Sequence, residues 1–334
     1  MVALDIWLSI IILIIALVVL NKASDITITY ASKTSEIAGL AKTAVGFILI
    51  AFSTSLPEMS VSIMAATGGS GEIGVAIGNI FGSNIVNICA IIGLAVILVT
   101  FRRRNNVNIV PVMAKEEFGS LYFGLFVASI IPLSLIYIAE VGRLIGIILL
   151  VVFSFYTYQI SKMKIPDNNG IQNKTSEDNR KFWKHVVFTF LGIAGVIASS
   201  RFIVDASVNI AENLGIPKTL IGATIIAFGT SLPEFATSIE AINQGQPALA
   251  FGNIVGSCFV NITLILSIPL MAAPFRVNMI VFSNMVIFSL MSNLLLWYFL
   301  SNEKITWREG AILLFIYFIF LASSFGVLTI PQNL

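Results

Sequence analysis

The sequence is poor in charge, in histidine and in cysteine. Only 11% of its 334 residues are Asp, Glu, Lys or Arg, whereas soluble domains carry about 25%. There is one histidine and there are two cysteines, Cys89 and Cys258, both in apolar segments, so we interpret the cysteines as small core residues and not as a disulfide or metal pair. Low charge combined with 57% hydrophobic residues and long apolar runs excludes a soluble enzyme and a nucleic-acid binder. These features indicate a polytopic membrane protein.

Apolar runs between polar breaks predict an all-α protein with ten transmembrane helices and no soluble domain. The first run has Asp5 where a signal peptide would carry a basic leader, so we predict a retained span. The predicted spans are 4–20, 41–67, 73–100, 119–139, 142–161, 183–205, 217–242, 247–273, 277–300 and 309–327.

The distribution of basic residues predicts the orientation of these spans. If the N-terminus lies outside, 15 of the 19 Lys and Arg residues fall in cytoplasmic loops, as the positive-inside rule requires. We therefore predict an integral protein of the cell membrane with an external N-terminus. The polar segment 162–184 separates 1–161 from 185–334 and is expected to be a flexible cytoplasmic linker, with His185 at its edge as a solvated loop residue.

The chain contains an internal repeat. Ile50–Ile63 (IAFSTSLPEMSVSI) and Ile226–Ile239 (IAFGTSLPEFATSI) are identical at ten of fourteen positions. Each copy is followed by a second motif, Gly78–Ile88 (GNIFGSNIVNI) or Gly252–Ile262 (GNIVGSCFVNI), identical at eight of eleven. Because each half holds five predicted helices, an odd number, the halves should cross the membrane in opposite directions. Inverted repeats of this kind are typical of secondary transporters, with the substrate site near the midplane.

Glu58 and Glu234 interrupt otherwise apolar predicted helices. An ionised carboxylate near the membrane centre costs about 2.5 to 3.5 kcal/mol on insertion scales, and neither helix has a basic residue near its glutamate. A proline precedes each glutamate and cannot donate to the carbonyl four residues back, at Ser53 or Gly229. A bound cation is one partner that such carboxylates and freed carbonyls can have. The repeated Pro-Glu pair therefore favours a cation site over a packing kink.

Other oxygen-bearing side chains recur at helical spacing around the two glutamates. Hydroxyls three and four residues before each glutamate should share its helix face, and a serine and an asparagine four residues apart should share a face of the next helix. Oxygen ligands without Cys or His favour Na⁺, Ca²⁺ or Mg²⁺, and a wide dehydrated cage favours Ca²⁺ and Na⁺. These side chains are Thr54, Ser55, Ser83 and Asn87 in the first copy and Thr230, Ser231, Ser257 and Asn261 in the second.

Two carboxylates give the site a charge near −2, which one Ca²⁺, several Na⁺ or two protons can neutralise. Competition for this charge is a physical basis for ion exchange. In each second motif two glycines, such as Gly78 and Gly82, should let the helices approach closely. No cofactor or nucleic acid is expected to bind, and the bilayer and the transported ions are the expected partners of a chain that we expect to function as a monomer.

The paired motifs FSTSLPE and FGTSLPE, with GNIFGSNIVNI and GNIVGSCFVNI behind them, closely resemble the alpha-1 and alpha-2 repeats of the Ca²⁺/cation antiporter superfamily, and the prokaryotic sodium/calcium exchangers are the most similar branch. The resemblance implies a ten-helix fold with four central ion sites and alternating access through sliding of the first and sixth helices. It implies that Glu58 and Glu234 bind Ca²⁺ directly and share Na⁺. It further implies the remaining ligands: Thr54 and Thr230 through carbonyl and hydroxyl oxygens, Ser55, Ser231, Ser83 and Ser257 for Na⁺ together with the carbonyls of Ala51 and Ala227, and Asn87 and Asn261 in the central layer.

Four alternatives to Na⁺/Ca²⁺ antiport are Ca²⁺/H⁺ exchange, K⁺ co-transport, a passive channel and an intramembrane enzyme. A Ca²⁺/H⁺ exchanger would use the same glutamates, although the TSLPE context and the full set of hydroxyls favour Na⁺. Asparagine at Asn261, where the potassium-dependent branch carries aspartate, argues against K⁺ co-transport. A passive channel would require rings of ligands around a pore, and an intramembrane enzyme would require a catalytic motif, neither of which the sequence presents.

Overall fold

The computed structural model describes residues 6–38, 54–68, 72–103, 115–137, 142–161, 176–243, 247–272, 279–302 and 305–325. All regular structure within these ranges is helical. The helices that precede the centre of the chain are α1 (Ile6–Ala38), α2 (Leu56–Thr67), α3 (Ile73–Ile85, Val86–Ile92 and Gly93–Arg103 in one run), α4 (Lys115–Tyr137) and α5 (Gly142–Ser161).

The second half begins with a long helix and contains two helices with a π-helical turn near their middle. Its helices are α6 (Ser176–Leu214), α7 (Lys218–Ile221, Gly222–Ile226 and Ala227–Thr230), α8 (Leu232–Asn243), α9 (Pro247–Val260, Asn261–Ile265 and Leu266–Ala272), α10 (Met279–Ser301) and α11 (Trp307–Ser324).

Seven helical stretches in the described residues are long and apolar enough to cross a membrane. They lie in α1, α3, α6, α7 with α8, α9, α10 and α11, and two shorter apolar stretches, Tyr122–Leu135 and Arg143–Tyr158, lie in α4 and α5. The first part of the predicted span 41–67 falls outside the described residues. An integral membrane protein follows from these stretches, while the total of ten spans stays a prediction.

The helix α6 differs from its prediction at both ends. It begins at Ser176, inside the segment expected to be a flexible linker, and continues to Leu214. The prediction that His185 is a solvated loop residue is wrong, because His185 is half-buried within α6 with its ring 5.5 Å from that of Tyr30.

The apolar side chains form two clusters. The larger one joins the central helices α3 and α9 with α4, α10 and α11, and includes Phe81 and Phe282 in an edge-to-face contact at 5.3 Å. The smaller one packs α1 and α6 against each other and against α2 and α7. On the outer face of α1, apolar residues such as Ile14 and Val18 are exposed, as expected for a lipid-facing surface. The described helices therefore form a central group and an α1–α6 layer beside it.

Glycines let α3 and α7 approach closely, as predicted for the first copy, whereas a Cβ atom added at Gly252 in the second copy would meet no described atom within 4 Å. A Cβ atom added at Gly78 would lie 2.1 Å from the carbonyl oxygen of Thr219, and one at Gly82 would lie 2.3 Å from that of Ala223. Any larger residue at these positions would separate the two backbones. The contact places the second motif of the first copy directly against the helix that leads to Glu234.

Candidate ion-binding site

The backbone departs from helical geometry at the same serine of both TSLPE motifs. Ser55 has φ −85° and ψ 7°, and Ser231 has φ −83° and ψ 7°. New helices, α2 and α8, begin directly after these serines, at Leu56 and Leu232, and the proline is the second residue of each, where its missing N–H costs no helical hydrogen bond. Glu58 and Glu234 consequently stand in the first turns of these helices. The positive end of the helix dipole offsets part of the cost of placing a carboxylate there.

Both glutamates are fully buried, with a side-chain exposure of 0%. One oxygen of each carboxylate accepts a hydrogen bond: Oε1 of Glu58 accepts from the Ser231 hydroxyl at 3.1 Å, and Oε1 of Glu234 accepts from the Ser257 hydroxyl at 3.2 Å. The second oxygen, Oε2, is buried and has no hydrogen-bond partner within the described ranges. Buried oxygens of this kind normally have a partner, and a cation can supply one.

The hydroxyls of each TSLPE motif reach across to the other half of the chain. Ser55 donates to the Ser257 hydroxyl at 3.2 Å, and the Thr54 hydroxyl lies 3.4 Å from the same oxygen. Ser231, in the second copy, bonds the glutamate of the first. The sequence predicted that these hydroxyls would share a helix face with the glutamate of their own motif. The structure brings the groups together, but the break at Ser55 and Ser231 directs them to the partner copy.

Asn79 belongs to the site although the sequence analysis did not single it out. Its side-chain oxygen accepts a hydrogen bond from the Thr230 hydroxyl at 3.1 Å, and its amide group donates to the backbone carbonyl of Glu58 at 3.4 Å. The residue is fully buried. Asn79 therefore links the second copy of the TSLPE motif to the backbone of the first glutamate.

Asn253 occupies the matching position of the second copy and makes a related set of bonds. It accepts from the Thr54 hydroxyl at 3.3 Å and donates to the hydroxyls of Thr237 and Ser238 at 3.0 and 3.4 Å. The signal that could have identified both asparagines is the Gly-Asn pair that opens each second motif. It was overlooked because the spacing argument started from the serine four residues later.

The predicted asparagine ligands lie where α3 and α9 widen into π-helical turns. These turns cover Val86–Ile92 and Asn261–Ile265, and such turns are frequent at functional sites. Asn261 donates to the side-chain oxygen of Asn84 at 3.0 Å. Asn87, with both polar atoms, and Ser83, with its hydroxyl, are buried without a hydrogen-bond partner in the described part of the chain.

Cys258 lies at the crossing of α3 and α9. Its Sγ is 4.0 Å from the backbone carbonyl of Asn84, whose side-chain amide donates to the Cys258 carbonyl at 3.5 Å. Cys258 and Cys89 are buried free thiols, which agrees with the prediction that they are small core residues.

The structure describes the backbone carbonyls expected at the site only in part. Ala51 and Ser53 lie outside the described residues. The carbonyl of Ala227 accepts the backbone N–H of Ser231 at 3.1 Å and the Thr230 hydroxyl at 3.3 Å. The Gly229 carbonyl, freed by Pro233, accepts a hydrogen bond from the Asn21 side chain at 3.1 Å. A side chain of α1 therefore supplies the partner that a bound cation was expected to supply there.

The site combines two buried carboxylates with neutral hydroxyl and amide oxygens from both halves of the chain. These are the donors that hard cations such as Ca²⁺ and Na⁺ prefer. The donors stand on five helices, α2, α3, α7, α8 and α9, and on the residues just before α2 and just after α7, so the site is made by packing the two copies against each other.

Comparison with known proteins identifies the family. The model of the family described as "Sodium/calcium exchanger protein" matches residues 8–162 and 184–326. The chain belongs to this family. It is 30% identical to the sodium/calcium exchanger MaX1 of Methanosarcina acetivorans, over 95% of this chain and 98% of that protein. The family predicted from the two motif pairs is thereby confirmed.

Solved structures agree with this assignment. The sodium-calcium exchanger NCX_Mj, soaked with 2.5 mM Na⁺ and 0.1 mM Ca²⁺, is 25% identical, with a TM-score of 0.62 over 95% of this chain and 98% of that one. The H⁺/Ca²⁺ exchanger CAX has a TM-score of 0.74 over 96% of this chain and 87% of that one, at 16% identity, and shows that the fold is shared. The chain is thus a membrane antiporter of the cation and calcium exchanger type.

Proposed function

We propose that the chain exchanges Na⁺ for Ca²⁺ across the cell membrane by alternating access, with Glu58 and Glu234 as shared ligands of both ions. The observation that carries this proposal is the pair of fully buried carboxylates, each with a second oxygen that lacks a hydrogen bond within the described ranges. Hydroxyl and amide oxygens from both copies of the repeat surround them. One Ca²⁺ would neutralise both charges, and several Na⁺ ions would do so in its place.

The same charges would couple the two ion fluxes. An empty site with two ionised carboxylates would be costly to carry past an apolar barrier, whereas a loaded site would not. Access would then change sides when either Ca²⁺ or Na⁺ is bound. The remaining ligands would be Thr54, Ser55, Ser83, Asn87, Thr230, Ser231, Ser257 and Asn261, with the carbonyls of Ala51 and Ala227.

Exchange of Ca²⁺ for protons at the same glutamates is the second candidate function. It is favoured by one observation, that the carboxylates are buried in the described part of the chain without a basic partner, because protonation would also remove their charge. The buried hydroxyls of Thr54, Ser83 and Ser231 support Na⁺ instead, since proton binding needs no set of neutral oxygen ligands. The family assignment and the relative MaX1 also support Na⁺.

The proposed topology is ten spans in two inverted five-helix repeats, 1–161 and 185–334, with a cytoplasmic linker at 162–184 and an external N-terminus. The two family-model matches, 8–162 and 184–326, fall on either side of the linker and support this division. In this arrangement α1 and α6 would move across the central helices to alternate access. The chain would work as a monomer and without a cofactor.

Ca²⁺ uptake into proteoliposomes tests the proposal. Vesicles loaded with Na⁺ and diluted into Na⁺-free buffer should accumulate radioactive Ca²⁺, and Glu58→Gln and Glu234→Gln should abolish the uptake. Asn213→Ala, on the exposed end of α6, is the control variant and should leave uptake unchanged. Uptake driven by an imposed pH gradient and not by Na⁺ would favour the proton-coupled alternative instead.

A further inference from the structure

A side chain of α1 enters the ion-binding region. Asn21 lies in the apolar candidate span Ile6–Thr27, and its amide group donates to the Gly229 carbonyl at 3.1 Å and to the Leu17 carbonyl at 2.9 Å. Gly229 lies four residues before Pro233, so its carbonyl has no N–H of its own helix to accept from. A polar side chain within an apolar span is costly unless it has a specific partner. The bond to Gly229 supplies that partner for the amide group, while the Asn21 side-chain oxygen is buried without a hydrogen-bond partner in the described residues.

The packing around this bond explains a difference between the two copies of the repeat. The first copy has Ser53 where the second has Gly229. A Cβ atom at Gly229 would lie 2.7 Å from both terminal methyl carbons of Leu17. Glycine at this position therefore allows α1 to lie directly on α7, with Leu17 against the backbone and Asn21 bonded to the carbonyl.

The contact leads directly to the first glutamate. Gly229 is followed by Thr230, which donates to Asn79, and by Ser231, which donates to Oε1 of Glu58. The position of the Gly229 peptide fixes where the next two hydroxyls point. Asn21 thus acts on the carboxylate through the backbone of α7 and touches neither glutamate in the described bonds.

We propose that Asn21 is a positioning residue for ion binding, which holds the Gly229 carbonyl so that Thr230 and Ser231 face Asn79 and Glu58. This inference rests on the proposed function, because the ions bound at Glu58 are those of the exchange cycle. Since α1 packs mainly on α6, the bond also ties the α1–α6 layer to the site. A movement of α1 along α7 has to break it, so Asn21 contributes to the balance between the two access states.

Two variants of Asn21 separate this role from others. Asn21→Leu keeps the approximate size and removes the donor. Asn21→Asp keeps the shape and the acceptor oxygen but replaces the amide donor with a second carboxylate oxygen. Asn293→Leu is the matched control, because it removes a buried amide that donates to Ser129 at 3.0 Å, between α10 and α4. All variants are tested as the full chain, with uptake expressed per amount of monodisperse protein.

The measurement is Na⁺-driven Ca²⁺ uptake as a function of Ca²⁺ concentration. Both Asn21 variants should raise the half-saturating Ca²⁺ concentration about threefold to tenfold, the range expected for one lost hydrogen bond. Asn293→Leu should lower thermal stability and keep half-saturation within about twofold of the wild type, because a merely structural loss reduces the amount of active protein and not its affinity.

The inference would be overturned if Asn21→Leu had the same half-saturating Ca²⁺ concentration as the wild type. Tighter Ca²⁺ binding in Asn21→Asp would show instead that residue 21 ligates the ion. If the wild type takes up no Ca²⁺ under a Na⁺ gradient, the proposed function fails. Direct Ca²⁺ binding to the purified proteins, measured by calorimetry, then decides the role of Asn21. Equal affinities of wild type and Asn21→Leu would overturn it.

Discussion

The Ser231 hydroxyl donates a hydrogen bond to Oε1 of Glu58 at 3.1 Å, although the two residues belong to different copies of the repeat. The opposite contact is indirect, since Ser55 donates to Ser257, which in turn donates to Glu234. Each glutamate is therefore linked to the other half of the chain. A displacement of one copy relative to the other changes the surroundings of both carboxylates, which is what alternating access requires of its binding site.

This asymmetry predicts unequal effects of two equivalent substitutions. Ser231→Ala removes a direct hydrogen bond to a carboxylate and should weaken Ca²⁺ binding by about 1.5 to 3 kcal/mol. Ser55→Ala removes a bond between two hydroxyls and should cost about 0.5 to 1.5 kcal/mol. Calorimetric titration of the purified variants compares them, each serving as the other's control. Equal losses, or a larger loss in Ser55→Ala, would contradict the geometry.

Asn79→Ala should weaken the response of the protein to Ca²⁺. The substitution leaves the Thr230 hydroxyl and the Glu58 carbonyl without their buried partner, at a cost of about 1 to 3 kcal/mol. The measurement is the rise in unfolding temperature on adding Ca²⁺, which should be smaller in Asn79→Ala than in the wild type. Asn213→Ala provides the control, and a full Ca²⁺-induced rise in Asn79→Ala would place Asn79 outside the site.

Gly82→Ala should destabilise the protein by about 1 to 3 kcal/mol, because the added Cβ would lie 2.3 Å from a backbone oxygen of α7 that cannot move aside. Gly195→Ala is the matched control, since its Cβ would lie at a longer distance, 3.0 Å, and from a side-chain atom, the Ala23 methyl carbon, instead of a backbone atom. Thermal unfolding in detergent measures both. The close contact of α3 with α7 would be disproved if Gly82→Ala were as stable as Gly195→Ala.

Glu72 should make stability depend on pH. It lies just before α3, outside the candidate membrane-spanning stretches, with its carboxylate 3.8 Å from the Arg201 guanidinium. Burial raises the pKa of Glu72 above its usual value, and the charge of Arg201 acts against that rise. Because the folded protein holds this proton more tightly, the stability from Glu72 is complete below the pKa of an exposed glutamate, about 4.3, and is lost as pH rises through the higher folded-state pKa.

Glu72→Gln has no such loss, so its stability relative to the wild type should increase with pH. Unfolding temperatures of both proteins at about pH 4 and about pH 7 give the comparison. The unfolding temperature of the variant, relative to that of the wild type, should be higher at about pH 7 than at about pH 4. A constant difference would mean that folding leaves the pKa of Glu72 unchanged, and a difference that shrinks would mean that the Arg201 charge outweighs burial and lowers it.

Local features of the site could be predicted because they depend on residues close together in the chain. The prolines at Pro57 and Pro233 indicated a helix interruption at each glutamate, and the structure places it at Ser55 and Ser231. The glycines of the second motif indicated close helix packing, which Gly82 makes with α7. The repetition of both motifs indicated a transporter and its family.

Long-range contacts could not be predicted from spacing. The assignment of each hydroxyl to its own glutamate assumed a continuous helix, whereas the break at Ser231 turns that side chain toward Glu58. The Gly229 carbonyl was expected to face a cation, but its partner, Asn21, lies 208 residues away in the chain. The start of α6 at Ser176 could not be predicted because the polar composition of 162–184 indicated a linker.

Competition between Na⁺ and Ca²⁺ for one site is the central claim, and equilibrium Ca²⁺ binding to the purified protein tests it most directly. Titrations at increasing Na⁺ concentration, at fixed ionic strength and pH, should show Ca²⁺ affinity falling as Na⁺ rises, with the number of Ca²⁺ sites unchanged. Glu58→Gln and Glu234→Gln should remove high-affinity binding. Ca²⁺ binding that is indifferent to Na⁺ but weakens as pH falls would contradict the account and support proton exchange at the same glutamates.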